Sequence, residues 1–500
     1  MQYLLILLAA ALSTTFMAKA KQFAGLSSSF CHLQSDGQVF CAGTNYYGQL
    51  GVGSTANSFA TPLQMLYVIE ASDVSMAETH TCIVDQGGRA RCVGYNYVIF
   101  YTLGDGTTKS SNVLVNVLGL QSGVAQVFSS ATANCALMET GAAWCWGYNY
   151  YGALGSGSTS TPAQPVPVVG FETGGAALIA MGDYHTCFLS TQGKILCTGE
   201  NDEGQLGNGT KTDSSKPIPV LGLGTSTVFV SVSCGNAHTC AVSNNGAVLC
   251  WGENDEGQLG LGSNTADFIL PEQVIASGAS SVWTSEDNTF VIMSDRTAMA
   301  FGKNVYGELG NGNQLKVTTP IPFASGVGNI KELRGGDETT CILFLNDTIQ
   351  CLGENSLGQF GAGDDAPESS FVLVSRLTGA ALPPTVPITL KPTSMAPTKS
   401  PTPPTKVPTS KNPTLLPTVA PTNLPTVEPT QSPTGVPTTM APTLLPTPSP
   451  TNTPTLPTAQ PTRRPTRQSD PSVGDPSVGG NAVLTGPMAA LSVLSVLLLA

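Results

Sequence analysis

The chain has 500 residues, a formal net charge of −12 and only 11% charged residues. Binding of nucleic acid through its phosphates requires a basic stripe, so this acidic balance argues against a nucleic-acid partner. It also disfavours attraction to an anionic membrane surface.

The first segment, residues 1–20, is predicted to be a secretory signal peptide. Leu4 to Leu12 forms an apolar core, and Ala18-Lys19-Ala20 matches the small-x-small pattern of a cleavage site. The alternative is an N-terminal membrane anchor, which is disfavoured because the apolar run is too short to span a bilayer.

Cysteines organise the next part of the chain into repeats. Six pairs, each with its members ten residues apart, recur about every fifty residues: Cys31 and Cys41, Cys82 and Cys92, Cys135 and Cys145, Cys187 and Cys197, Cys240 and Cys250, Cys341 and Cys351. Another unit of the same series has Phe290 and Ala300 at the two matching places. Because both cysteines are missing together, the pattern indicates bonded pairs. A period of this size indicates a propeller or a solenoid.

Each pair flanks a predicted β-turn. Ser35-Asp36-Gly37 and Asn245-Gly246 stand between apolar runs, which is the sequence pattern of a β-hairpin. A three-residue loop centred on Asp36 places Cys31 opposite Cys41 on the neighbouring strand. We therefore predict six disulfides across hairpins, and with them an oxidising compartment.

The repeat region lacks sustained helical periodicity, so seven units of three or four short strands predict an all-β toroid over residues 21–379. The apolar segments Lys21–Leu26 and Phe371–Leu377 lie at its two ends. We expect these segments to meet in one shared blade that closes the ring.

A Gly-rich motif follows the second cysteine position of most units. WGENDEGQLGLG at Trp251–Gly262 resembles the regulator of chromosome condensation repeat, and similar segments begin at Gly43, Gly147, Thr198, Phe301 and Leu352. The resemblance implies a seven-bladed β-propeller. It also brings two functional precedents: the best-known member of the family is a nuclear guanine-nucleotide exchange factor, and other members are secreted binding proteins.

The sequence contains no recognisable catalytic, metal-binding or cofactor motif, and we predict that the protein is not an enzyme. His80, His185 and His238 occupy one repeated slot, which favours packing and hydrogen bonding over ligation. Cys234 has no partner at the ten-residue spacing; it is expected to be a free buried thiol or to form an intermolecular bond.

Two acidic clusters and two sequons lie in predicted turns. Glu200 to Glu203 and Glu253 to Glu256 are interpreted as solvated turn acids, with calcium binding as the alternative. The sequons at Asn208 and Asn346 predict N-glycosylation.

Aromatic residues take the place of these acids in the first units. Candidate binding residues are Tyr46, Tyr47, Tyr97, Phe100, Tyr101, Tyr150 and Tyr151. Exposed aromatic rings supply contact area at low entropic cost. We predict that the long loop of the second unit contacts a partner, the alternative being that the rings pack between blades.

The remaining chain changes composition sharply. Residues 380–470 repeat Pro-Thr nearly every fourth residue, which predicts a disordered Pro/Thr-rich stalk, O-glycosylated or unmodified. Residues 471–500 end in an apolar run from Met488 that is preceded by small residues. This end is predicted to be a lipid-anchor signal, with a plain transmembrane tail or a free secreted end as alternatives.

The sequence therefore predicts an extracellular, cell-surface or wall-tethered propeller that binds a protein or a glycan. Nucleotide exchange on a small GTPase and a surface-matrix enzyme are the alternatives. The oligomeric state and the ligand are left open.

Overall fold

A computed structural model describes residues 23–25, 28–224, 226–264, 266–324, 327–336, 338–362 and 368–373. These residues form 28 β-strands in seven four-stranded antiparallel sheets, and the described chain contains no helix. The predicted all-β, seven-bladed propeller is thus confirmed. The predicted signal peptide, stalk and C-terminal anchor signal lie outside the described residues.

The strands follow one another round the ring. Blades one to four contain β1 Phe23–Gly25, β2 Ser29–Leu33, β3 Val39–Thr44, β4 Ser58–Gln64, β5 Asp73–Met76, β6 His80–Asp85, β7 Arg89–Gly94, β8 Ser111–Asn116, β9 Val124–Ser129, β10 Ala133–Met138, β11 Ala143–Gly147, β12 Val166–Pro167, β13 Ala176–Met181, β14 His185–Ser190, β15 Ile195–Gly199 and β16 Ser214–Pro219. Blades five to seven contain β17 Phe229–Cys234, β18 His238–Ser243, β19 Val248–Gly252, β20 Phe268–Ile275, β21 Ala279–Thr284, β22 Asn288–Met293, β23 Ala298–Gly302, β24 Val317–Pro322, β25 Ile330–Gly335, β26 Thr339–Phe344, β27 Ile349–Gly353 and β28 Glu368–Leu373.

The predicted hairpin register is found in every blade. In blade six, which has no cysteine pair, Phe290 is paired with Ala300 at the matching place. In the other six blades the two cysteines are register partners and are bonded: Cys31 with Cys41, Cys82 with Cys92, Cys135 with Cys145, Cys187 with Cys197, Cys240 with Cys250, and Cys341 with Cys351.

The six disulfides lie inside the core. The Cα atoms of each pair are 4.0–4.1 Å apart, and all twelve cysteines are fully buried. Each bond closes a short loop and contributes about 2–3 kcal/mol. The disulfides therefore connect the two middle strands of a blade from within.

Ring closure differs from the prediction. β1 pairs with β2 in blade one, and β28 pairs with β27 in blade seven, so the two ends belong to different sheets. The expectation of one shared blade is wrong because the first described strand, β1, is the first strand of blade one and the last described strand, β28, is the fourth strand of blade seven. Each blade is complete from its own repeat, and no place is left for a strand from the other end.

Side-chain packing closes the ring instead. Phe23 and Phe30 of blade one form a buried cluster with Leu343, Ile349 and Phe360 of blade seven. The first strands of successive blades contact one another, and β1 contacts β25. All seven first strands line a central cavity of about 390 Å³.

Antiparallel pairing sorts the loops onto two faces. Loops from the first to the second strand and from the third to the fourth lie at one end of each blade, which we call the upper face. Turns between the second and third strands, and the connections between blades, lie on the opposite, lower face.

Candidate functional site

The loop between the third and fourth strands is built around one asparagine per blade. In blade three, Asn149 Oδ1 accepts a hydrogen bond from Leu154 N at 3.0 Å, and Asn149 Nδ2 donates to Ser158 O and Ser160 O at 2.8 and 3.0 Å. In blade four, Asn201 makes the same three kinds of bond. The asparagine is buried in all seven blades, so the residues on either side of it are presented from a constant scaffold.

A glycine of the same loop packs against a side chain of the next blade. Gly207 has φ +62°, and a Cβ placed there would lie 2.6 Å from Trp251 Nε1 of blade five. Only glycine tolerates both the backbone angle and this approach. Trp251 Nε1 donates to Gln205 O at 2.9 Å, which ties blade five to the loop of blade four.

Aromatic rings on the upper loops form a continuous array. We call it the aromatic ridge, and it consists of Tyr47, Tyr95, Tyr97, Phe100, Tyr148, Tyr150, Tyr151 and Tyr184. The ring centroids of successive contacts are 4.7–6.4 Å apart. These distances are those of favourable aromatic pairs. The ridge crosses four blades, from Tyr47 in blade one to Tyr184 in blade four.

Five rings of the ridge are half-buried and three are exposed. Tyr95, Phe100 and Tyr148 are half-buried, whereas Tyr97 and Tyr150 are 55% and 49% exposed. The two sequence interpretations, packing between blades and exposure to a partner, therefore describe different rings of one array. The packed rings hold the exposed rings in place.

Five of the seven predicted binding residues lie in the ridge: Tyr47, Tyr97, Phe100, Tyr150 and Tyr151. Tyr46 is exposed beside Tyr47, and Tyr101 is half-buried with φ +49°. Neither joins the ring contacts of the described chain.

Sequence reasoning missed three members of the ridge: Tyr95, Tyr148 and Tyr184. A usable signal exists for the first two, because Tyr95-Asn96-Tyr97 and Tyr148-Asn149-Tyr150 repeat one triplet about the buried asparagine. The two tyrosines of each triplet stack, with interplanar angles of 20° and 15°. Tyr184 comes from the loop between the first two strands of blade four, and no local pattern marks it.

Acidic side chains adjoin the blade-four end of the ridge. The pKa of Glu200 is raised from 4.5 to about 7, first by burial and then by the charges of Asp202, Asp213, Asp183 and Glu203. We call these five residues the blade-four carboxylates. The pKa of Tyr151 is raised to about 12, mainly by burial and next by Glu200. The ridge and the carboxylates thus form one electrostatically coupled surface.

The other predicted sites occupy separate places. Asn208 lies half-buried in the upper loop of blade four, with its Oδ1 accepting from Thr210 N at 3.0 Å. Asn346 is exposed in the lower turn of blade seven.

The repeated histidines hold neighbouring blades together. His185 Nε2 lies 2.9 Å from Thr239 Oγ1 of blade five, and His80 Nε2 lies 2.8 Å from Asn134 Oδ1 of blade three. Burial lowers the pKa of His185 and His238 to about 3 and that of His80 to about 4, so all three are neutral. The prediction of a packing and hydrogen-bonding role is confirmed.

Cys234 is a free and buried cysteine, and burial raises its pKa to about 12. Its sulfur, Cys187 Sγ and a ring nitrogen of His185 lie within 4.8 Å of one another, an arrangement that could hold a metal ion. Cys187 is bonded to Cys197, however, so in the oxidised protein this group offers no thiolate at that position.

Two protein-family models match this chain. A model of the RCC1-like domain matches residues 102–414, which is more than half of the chain, and a model of the regulator of chromosome condensation (RCC1) repeat matches residues 36–84. The chain belongs to the RCC1-like domain family.

Individual members of the RCC1-like family show how far the likeness extends. The Ultraviolet-B receptor UVR8 of Arabidopsis thaliana is 28% identical over 307 residues, which are 59% of this chain and 68% of the receptor. The probable E3 ubiquitin-protein ligase HERC6 of Homo sapiens is 29% identical over 243 residues, 47% of this chain, and the chain spans only 24% of that protein.

A solved structure shows the same fold. Prp20p from Saccharomyces cerevisiae, which was studied for its binding to Gsp1p and histones, superimposes with a TM-score of 0.60 at 18% identity. The match covers 70% of this chain and 88% of Prp20p. In the described part of the chain, no helix has the length and apolar character needed to cross a membrane.

Proposed function

We propose that this protein is an extracellular binding module, tethered at the cell surface or wall, that engages a protein or a glycan through the aromatic ridge. The ridge is the observation that carries the proposal. Its exposed rings include Tyr97 and Tyr150, and Val98 and Ile99 beside them are also about half exposed. A contiguous exposed apolar patch of this kind is typical of an interaction site.

The extracellular setting is supported by the six buried disulfides, which are typical of proteins folded in an oxidising compartment. Within the proposal, residues 1–20 direct secretion, residues 380–470 form the stalk, and residues 471–500 direct attachment of a lipid anchor. Nucleotide exchange on a small GTPase is the alternative function. It requires a cytosolic or nuclear location, so the location of a tagged chain separates the two.

The binding test uses the exposed rings, because replacing the half-buried Phe100 or Tyr101 would also disturb packing. The full chain and a ridge variant, Tyr47→Ser/Tyr97→Ser/Tyr150→Ser, are applied to a glycan array and used for proximity labelling at the cell surface. We expect specific ligands for the unmodified chain and loss of those ligands for the variant, with the melting temperature unchanged.

The matched control changes three exposed apolar residues on the lower face. A Tyr67→Ser/Leu118→Ser/Leu345→Ser variant removes a comparable apolar surface, since these side chains are 70%, 40% and 52% exposed. Binding that survives in the ridge variant but is lost in this control would refute the proposal.

A further inference from the structure

The surface chemistry of the upper face changes abruptly between blades three and four. Tyr148 and Tyr150 flank the buried asparagine of blade three, and Glu200 and Asp202 flank the buried asparagine of blade four. The scaffold is the same on both sides of this boundary. The side chains at the surface therefore change from aromatic rings to carboxylates while the backbone of the loop stays the same.

Four tyrosine rings contact one another where blades three and four meet. Tyr148, Tyr150, Tyr151 and Tyr184 form a closed four-ring group in which each ring contacts two others at centroid distances of 5.1–6.4 Å. Tyr184 lies in a loop of blade four, and Glu200 N donates to Tyr184 O at 2.9 Å. The ridge thus ends beside Glu200, one of the blade-four carboxylates, whose charge also acts on Tyr151.

Five carboxyl groups crowd this boundary. Each charge that acts on Glu200 belongs to another carboxylate. Lys211 lies nearby, with Nζ 3.1 Å from both Glu203 Oε2 and Asp267 Oδ2, so it bridges the outer edge of the group to blade five. The other four carboxylates repel the charge on Glu200, and a positive charge placed beside it would relieve that repulsion.

The faces of the aromatic rings also favour a positively charged ligand. The face of a tyrosine ring carries negative electrostatic potential and attracts a guanidinium or ammonium group. Hydroxyl groups of a neutral glycan would hydrogen-bond to the carboxylates but would not relieve the repulsion that acts on Glu200. Ring faces and carboxylates together favour a ligand that is both apolar and cationic.

We propose that the partner is a cationic polypeptide segment, which lays its apolar side chains along the aromatic ridge and places lysine or arginine at the blade-four carboxylates. This inference rests on the proposed binding function, whose site it shares. It adds the chemical class of the partner and the end of the ridge at which the positive charge binds.

Blade five provides a matched control. Glu253 and Asp255 flank Asn254 as Glu200 and Asp202 flank Asn201, and no ring of the ridge lies in blade five. A Glu200→Gln/Asp202→Asn variant and a Glu253→Gln/Asp255→Asn variant therefore replace the same pair of carboxyl groups at equivalent places. Only the first variant changes the boundary with the ridge.

The experiment applies the full chain to an array of synthetic peptides that contain lysine or arginine with aromatic or aliphatic residues. A second set has every lysine and arginine replaced by glutamine, and a glycan array is run in parallel. We expect binding to the cationic peptides alone, with affinity roughly tenfold lower in the blade-four variant and changed less than about twofold in the blade-five variant. Affinity is also expected to fall as salt is raised.

The outcomes separate this inference from the proposed function. Equal binding of the glutamine peptides, ridge-dependent binding of neutral glycans alone, or equal weakening by the two variants would each overturn the cationic partner and leave the ridge as the binding site. Absence of any binding that depends on Tyr97 and Tyr150 would overturn the proposed function as well.

Discussion

Blades three and four show how one scaffold carries two opposite surfaces. In both blades a buried asparagine holds the upper loop through the same set of backbone hydrogen bonds. The residues that flank it are Tyr148 and Tyr150 in blade three but Glu200 and Asp202 in blade four. The comparison teaches that fold and surface are encoded at alternating positions of a single short motif, so the surface can change while the hydrogen bonds of the scaffold stay the same.

The largest expected effect would test whether the two scaffolds are equivalent. Asn149→Ala and Asn201→Ala each remove three hydrogen bonds to backbone groups. We expect each to lower the free energy of unfolding by about 2–3 kcal/mol, and by similar amounts in the two blades. Denaturant unfolding of the full chain measures both. A loss in one blade alone would show that the scaffolds are not equivalent.

The next largest effect is expected when the surface residues of blade three are replaced by those of blade four. Tyr148→Glu with Tyr150→Asp installs the blade-four residues in blade three and breaks the four-ring group. We expect ridge-dependent binding to weaken about thirtyfold, or about 2 kcal/mol, because two central rings are lost. Titration against the ligand identified on the arrays measures this. The Tyr67→Ser/Leu118→Ser/Leu345→Ser variant is the control, and unchanged affinity after the exchange would contradict the assignment of the ridge.

A smaller effect concerns pH and the acidic side of the comparison. Folding raises the pKa of Glu200 from 4.5 to about 7, so the folded chain binds this proton more tightly than the unfolded chain. The stability that this group contributes is fully present below about pH 4.5 and is lost as the pH rises through 7. Glu200→Gln should therefore stabilise the protein at about pH 8 relative to about pH 5, by on the order of 1 kcal/mol after allowance for solvent screening.

Unfolding of Glu200→Gln at the two pH values measures this difference. Glu253→Gln removes a carboxylate at the same place in blade five and serves as the control. The same pH-dependent gain in both variants would show that the effect is general charge reduction and not the crowding of the blade-four carboxylates.

The smallest expected effect concerns the disulfides. It would show whether a blade without a disulfide opens more readily than blades three and four. Blades three and four each have a disulfide, whereas in blade six Phe290 and Ala300 fill its place and Phe290 packs against Phe323 with centroids 5.6 Å apart. We expect backbone amides of blade six to exchange about three- to tenfold faster than those of blades three and four. Hydrogen exchange by mass spectrometry measures this, and equal protection would contradict it.

Much of the fold could be predicted because its signals are local. The turn at Asp36 and the ten-residue spacing place Cys31 opposite Cys41 from a single hairpin. Ring closure could not be predicted in the same way. Apolar end segments are compatible with a shared blade or with separate blades, and only the phase of the repeat, which begins at β1 and ends at β28, decides between them.

Some residues of the candidate site could be predicted from the sequence and others could not. Tyr97 and Tyr150 could be found because they stand at fixed places beside the buried asparagine of their own repeats. Tyr184 could not, since it lies in a different loop and meets Tyr148 and Tyr151 only after blades three and four pack together.

The sequence by itself determined the hairpins, their disulfide pairing and the family, because each of these depends on residues within one repeat. The tertiary structure alone decided that rings from four blades form one array and that the array ends against carboxylates. The physical reason is distance along the chain: these side chains are 36 to 48 residues apart in neighbouring repeats, and the packing of blade against blade brings them together.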